Sequence, residues 1–489
     1  MKNTLVTLVI LLFTFRAAGQ VRLVNTKTKL FETSEKVEIK GQVGYLEVPE
    51  NRNNPESRKI KLKYIHLKSL AENPATPVIY LEGGGGVSTW EAESPRDLHD
   101  RLEILKVADL IYLDRRGASD KALTYIWKEG YPKDFFLSES SASRHYQKVT
   151  KVALEKFEKK GIDVTGYNIE EHATDVSDLM SGLGFSKYTL FGFSYGSHIG
   201  MTVMKLFPDE IERAILVGSD APNQSFNFPS YLDNHIVKIG KMVEQDTALQ
   251  MTAADFSALV YGTMKKLDEN PVTVTVKNPL ALKKAELTVG GFGLGLILRL
   301  DIDDAYDIPV IPRLLHSINE GDYSMLTHFV QKRMVFALGL PGQGINQQLA
   351  SGVSPSRWEA IEEQVRESAF GNAVNFPFSA VKDHWVPTIL SFDASEPVKT
   401  DIPTLFVTGT LDCRTPVEQV EETMEGFTNA AHIKVENAGH EQAQWDAEVA
   451  DDLIPAFIKG ASVESSTVYY KDIKFIKLTG EASGHPSLN

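Results

Sequence analysis

A single cysteine, Cys413, occurs in 489 residues, so no disulfide can form within the chain. Without such cross-links stability must come from the size of the core, and 42% hydrophobic content over this length supplies a large one. Positive charge is also scarce: 51 Lys and Arg stand against 65 Asp and Glu, a formal charge of −14. That balance excludes nucleic acid and anionic membrane surfaces as expected partners. The apolar run Leu5–Phe15 is too short to span a bilayer comfortably, and no later stretch is a candidate span or membrane anchor. Repeats, low-complexity segments and metal-ligand constellations are missing too. The run "VGGFGLG" (Val289–Gly295) lacks the G-x-G-x-x-G spacing and a following acidic ribose partner, and reads as a helix start. No cofactor is expected.

What is present begins with "MKNTLVTLVILLFTFRAAGQ": a positive start, an apolar stretch, then small residues. Residues 1–19 read as a secretory signal peptide, which implies export to the periplasm or the medium. Residues 20–222 then alternate short apolar runs with amphipathic stretches. Antiparallel strands are expected at "GQVGYLEVPE" and "KIKLKYIHLK", and parallel ones at "TPVIYLEGGGG" and "ADLIYLDRRGASD". Strands alternating with helices predict an α/β fold, a mostly parallel sheet covered on both faces. Residues 223–397 change style to mainly helical, with one hairpin at "PVTVTVKNPLALKKAELTV", and are expected to form a lid inserted after the sixth strand. Residues 398–460 resume the alternation, and the tail 461–489 is expected to carry one strand.

In "TLFGFSYGSHIG" (Thr189–Gly200) a buried strand turns abruptly into a helix, with Ser194 between Gly192 and Gly196. Flanking glycines remove side chains that would collide with the neighbouring strand and helix, so the serine hydroxyl can project from the top of the sheet. This is the nucleophile-elbow pattern G-x-S-x-G. A serine is a poor nucleophile at neutral pH and needs a base, which in turn needs an acid to orient it. Downstream, "VTGTLDCRTP" places Asp412 just past one strand end and "VENAGHEQ" places His440 just past the next. The order Ser, Asp, His is that of an α/β hydrolase. Asp220, after the strand that follows the elbow, is the alternative acid. His198 and His384 read as structural. The tetrahedral intermediate needs two N–H donors: one from Tyr195, the residue after the nucleophile, the other from the glycine loop "LEGGGGVS".

These stretches together resemble the α/β-hydrolase group of prolyl aminopeptidases and secreted tripeptidyl aminopeptidases. The likeness covers most of the chain after residue 19, through "GYLEVPENRNNPESRKIKLKYIHLK", "LEGGGGVS", "LDRRGASD", "GFSYGS", "IPVIPRLLHSINEGDYSML", "DIPTLFVTGTLDCRTP" and "NAGH". It implies Ser194 as nucleophile, Asp412 as orienter, His440 as base, and Gly84 with Tyr195 as oxyanion donors. Glu82 and Gly85 stand where the loop of that group often has His and Pro. Asp114 and Arg116 are expected to tie their loop by a salt bridge.

The leading expectation is an exported serine hydrolase that removes residues or short peptides from free N-termini. Such specificity needs an acid for the substrate ammonium; Glu82 and the lid aspartates Asp301, Asp303, Asp304 and Asp307 are candidates, the lid group reading more readily as a solvated helix start whose acids the helix dipole favours. The same machinery would serve a carboxylesterase or lactonase. A non-catalytic binding protein on this fold is a third reading, disfavoured by a Ser-Asp-His set in order.

Overall fold

A computed structural model describes residues 22–84, 87–119, 121–247, 249–277 and 284–480. The expected signal peptide, Gly85, and residues 481–489 of the tail lie outside the described residues. The central sheet has ten strands, here numbered along the chain: β1 Arg22–Glu32, β2 Glu38–Pro49, β3 Lys59–Leu67, β4 Ala75–Leu81, β5 Ala108–Leu113, β6 Tyr188–Phe193, β7 Ile211–Val217, β8 Thr404–Gly409, β9 Ala430–Glu436 and β10 Ser466–Tyr469. Their spatial order is β1-β2-β3-β5-β4-β6-β7-β8-β9-β10. The β1–β2, β2–β3 and β3–β5 pairs are antiparallel, and every other pair is parallel.

Burial follows the pairing. Strands β5, β6 and β8 are buried at every residue because helices cover both faces of the parallel half, whereas β2 alternates along its length. One face carries Ile79, Leu190, Leu216 and Phe406 against Val176, Ile199 and Met201. The other carries Tyr80, Phe191, Ile215 and Leu405 against Ile454 and Phe457.

The strand β1 adds to those expected, so the lid follows β7, the seventh sheet strand in chain order. The lid's apolar cluster, the third in the molecule, draws mainly on two stretches of chain. Phe135, Phe136, Tyr146 and Phe157 come from the excursion between β5 and β6, and Ile236, Phe256, Leu298, Leu314 and Phe376 from the later insertion. The two are stitched by a short antiparallel pair, Thr124–Ile126 with Gly339–Pro341. The "VGGFGLG" run opens the helix Gly291–Asp301, and Val272–Lys277 pairs with Lys284–Val289 as a hairpin.

After β10 joins the sheet edge beside β9, the chain crosses back to the lid. The Phe475 N–H donates to Asp246 Oδ2 (3.2 Å) and the Ile476 N–H to Pro309 O (3.1 Å), while Ile473, Ile476 and Leu478 pack on the lid cluster. Among the described residues no helix is long and apolar enough to cross a membrane.

Candidate active site

The strand β6 runs to Phe193, and the helix Tyr195–Leu206 starts at the very next residue after Ser194. Ser194 absorbs the whole turn at φ +52°, ψ −123°, a left-handed conformation that a side chain resists. A Cβ on Gly196 would stand 1.8 Å from Leu81 O, and one on Gly192 would stand 2.6 Å from Gly196 O, so the turn closes only with glycine at both places. The Ser194 N–H is secured to Val217 O (2.8 Å).

Two loops at the same edge of the sheet meet this serine. His440 Nε2 lies 2.9 Å from Ser194 Oγ, and His440 Nδ1 lies 2.7 Å from Asp412 Oδ2. With the Nδ1 proton given to Asp412, Nε2 is free to accept from the serine hydroxyl. Asp412 is fixed in its own loop: Oδ1 accepts from the Arg414 and Thr415 N–H groups (both 2.9 Å) and Oδ2 from Thr415 Oγ1 (2.6 Å). Thr415 Oγ1 is also 3.3 Å from His440 Nδ1, a neighbour the sequence reading missed. Its signal was the D-x-x-T spacing, by which an aspartate caps the turn it starts.

Electrostatics match the geometry. Burial pulls the imidazole of His440 down, but the charge and hydrogen bond of Asp412, with Asp303 behind, hold it above the usual histidine value. Burial pushes Asp412 up, yet His440 and Thr415 keep it below the usual carboxylate range.

Opposite the serine, Gly83 sits so close that a Cβ there would be 3.2 Å from Ser194 Cβ. The N–H groups of Gly84 and Tyr195 donate to no described residue. Glu82, half-buried at the start of this loop, accepts the Gly83 N–H at 2.9 Å and has no ion-pair partner among the described residues. It hydrogen-bonds Glu91, whose carboxyl is pushed up to about 7 by burial, opposed by Arg101 and reinforced by Glu82.

The alternative acid stands elsewhere. Asp220 Oδ2 is 3.5 Å from His198 Nδ1, and His198 is fully buried with its Nε2 2.9 Å from Ser351 Oγ in the lid. His384 is exposed.

The lid aspartates differ from a solvated helix start. They lie at and beyond the end of the helix Gly291–Asp301, and three are buried and paired: Asp301 with Arg333 and Lys332, Asp303 with Arg414, and Asp307 with Lys332. Asp304 Oδ1 accepts from the Tyr306 N–H (2.7 Å) and Gln442 Nε2 (3.3 Å). Asp303 O also accepts the N–H of His440 at 3.1 Å, so the lid is fastened to the histidine loop.

The expected Asp114–Arg116 salt bridge is not formed. Arg116 turns inward to Asp175 (2.6 and 2.7 Å) and Glu171 (2.9 Å), and donates to Glu50 O and Gly166 O (both 2.7 Å). Asp114 accepts from the Thr89 N–H, Thr89 Oγ1 and Ser119. The carboxylates of Glu171 and Asp175, both buried on the helix Ile169–Gly182, claim the guanidinium, while Thr89 and Ser119 satisfy Asp114.

Residues 76–287 match the family described as alpha/beta hydrolase fold, and residues 383–469 the family described as TAP-like protein. Among curated relatives, Serine protease Hip1 of Mycobacterium tuberculosis and of Mycobacterium bovis is 26% identical over 194 residues, 37% of this chain and 36% of the relative. The chain thus spans about a third of the length of the relatives it matches. Among solved structures, a bromoperoxidase from Bacillus anthracis is 13% identical, covering 85% of this chain and 99% of that one with a TM-score of 0.38. An esterase from Exiguobacterium antarcticum is 13% identical, covering 89% and 100% with a TM-score of 0.36. From the two family matches and the sheet they fall on, the chain belongs to the α/β-hydrolase superfamily, of the TAP-like kind.

Proposed function

We propose that this hydrolase is an exported aminopeptidase that cleaves peptides from a free amino end through an acyl-enzyme. One observation carries the catalytic part: the hydrogen-bonded line from Ser194 Oγ through His440 to Asp412, ending on a serine held at positive φ. Ser194 Oγ attacks the scissile carbonyl carbon while its proton moves to His440 Nε2. The carbonyl oxygen, now an oxyanion, is met by the N–H groups of Tyr195 and Gly84. As the tetrahedral intermediate collapses, the C–N bond breaks and His440 returns its proton to the leaving amine. Water then enters, gives its proton to His440, and releases the acyl group by the same route in reverse. Asp412 keeps the imidazole in one tautomer and stabilises its cation.

The aminopeptidase part rests on Glu82. Three of the four lid aspartates are already ion-paired, so the carboxylate beside the oxyanion loop is the better seat for a substrate ammonium. The serine protease relative supports peptide over ester. Export rests on the leader pattern of residues 1–19.

A chromogenic panel of aminoacyl, tripeptidyl and short acyl-ester substrates tests the reading. A free-amine peptide should be cleaved faster than its N-acetylated form by about 1–3 kcal/mol in ΔΔG‡, the cost of leaving the Glu82 carboxylate without its cation once the peptide covers it. Glu82→Gln should erase most of that gap. Equal rates on the two peptides with strong ester turnover would instead identify an esterase.

A further inference from the structure

Two consecutive arginines leave the end of β5, and their surroundings differ. Arg116 is wholly buried and answered by Asp175 and Glu171. Arg115 is 8% exposed, yet forms no ion pair with any described residue, and its Nε and Nη1 are buried without a hydrogen-bond partner. A buried cation without an acid is costly, so a structural role alone would favour an apolar side chain there.

The bonds that Arg115 does make all lead to the oxyanion hole. Its Nη2 donates to Gly83 O at 2.7 Å and to Gly84 O at 2.8 Å. Its guanidinium lies 4.8 Å from the ring centroid of Tyr195, whose ring stacks on His198 at 5.0 Å and 28°. One cation therefore touches both halves of the hole. The peptide plane explains what that contact does. In a trans peptide the N–H points opposite to the C=O, so turning Gly83 O toward Arg115 turns the Gly84 N–H away from it. That N–H is unclaimed, and Gly83 itself rests against Ser194. A run of glycines has little steric resistance to flipping this plane.

We propose that Arg115 is the positioning residue of the oxyanion hole: by holding Gly83 O and Gly84 O it fixes the peptide whose N–H faces the developing negative charge on the substrate. The charge-assisted bonds also polarise that peptide, which strengthens its N–H as a donor. This inference rests on the reading of Gly84 and Tyr195 as oxyanion donors.

The test compares Arg115→Met, Arg115→Lys and Gly84→Pro in the full chain, with whichever chromogenic substrate the panel turns over. Arg115→Met should lower kcat by about 10²–10³, as loss of one oxyanion donor does, while KM and the thermal midpoint stay near the parent's. Its affinity for a short boronic acid, which forms a tetrahedral adduct on the serine, should weaken by a similar factor. A merely structural arginine would shift the midpoint and leave the boronate affinity of folded enzyme alone. Arg115→Lys should recover part of the loss, because an ammonium can serve one carbonyl. If Arg115→Met does not fold, Arg115→Lys decides: a lower kcat at unchanged KM supports the role, and an unchanged kcat overturns it. Gly84→Pro removes the N–H itself. Full activity in that variant would overturn the donor reading, and this proposal with it. A damaged Gly84→Pro beside a folded Arg115→Met with parental kcat and boronate affinity would overturn this proposal alone.

Discussion

His440 and His198 each lie buried between a serine hydroxyl and an aspartate. By residue type the two sets are the same, Ser194–His440–Asp412 and Ser351–His198–Asp220. They differ in where the protons point. In the first set Asp412 is 2.7 Å from Nδ1, so Nε2 accepts from the serine. In the second, Ser351 Oγ gives its proton to Gln347 O (2.9 Å), which makes it the acceptor of a proton on His198 Nε2. Asp220 stands 3.5 Å from Nδ1, which has no hydrogen bond. That histidine cannot act as a base toward its serine. Nucleophilic serine chemistry therefore depends on the direction of a hydrogen-bond line and on the strain at its end, and three residue types within reach of one another are not enough.

The largest effect should come at the serines. Ser194→Ala should lower kcat by about 10⁶, as loss of a triad nucleophile does, whereas Ser351→Ala should turn over substrate near the parental rate. Hydrolysis lost in Ser351→Ala and kept in Ser194→Ala would exchange the roles of the two sets. Next come the acids. Asp412→Asn should cost about 10⁴ in kcat by releasing the wrong tautomer of His440, with Asp220→Asn close to the parent. The reverse ranking, read from the same steady-state kinetics, would move the orienter to Asp220.

The smallest effect sharpens the comparison through pH. His440 must be neutral to act as base, so kcat/KM should fall on the acid side through a pKa above the ordinary histidine value of about 6.5. The charge of Asp303 helps to raise that pKa, and its partner Arg414 opposes it. Asp303→Asn removes the first and frees the second, so both changes shift the acid limb to lower pH. A limb that stays put or moves upward would separate the lid ion pair from the titration of the base.

The sequence was most legible where backbone geometry constrains residue type. Gly192, Ser194 and Gly196 are written by a turn that admits no alternative, and Asp412 and His440 by their places just past strand ends. Contacts between distant segments were not legible. The cations that answer Asp301 and Asp303 come from Arg333 and Arg414, and nothing near residue 301 announces them. Arg116 finds Asp175 and not Asp114 for the same reason. The strand β1 escaped because ten of its eleven residues are at least partly exposed, so no alternation of apolar and polar residues marks it.

The tail also bears on the order of synthesis. The lid cluster is closed by Ile473, Phe475, Ile476 and Leu478, and the free edge of β9 by β10. Synthesis of the lid insertion is complete at Pro397, yet at about 5–20 residues per second Phe475 follows it only some 4–16 s later. Throughout that interval the nascent chain carries an open apolar seat and an unpaired parallel edge at once, the two kinds of surface on which unfinished chains adhere to one another. A stop codon ahead of Ser466 would make that interval permanent, giving a chain with every catalytic residue in place and a pronounced tendency to aggregate.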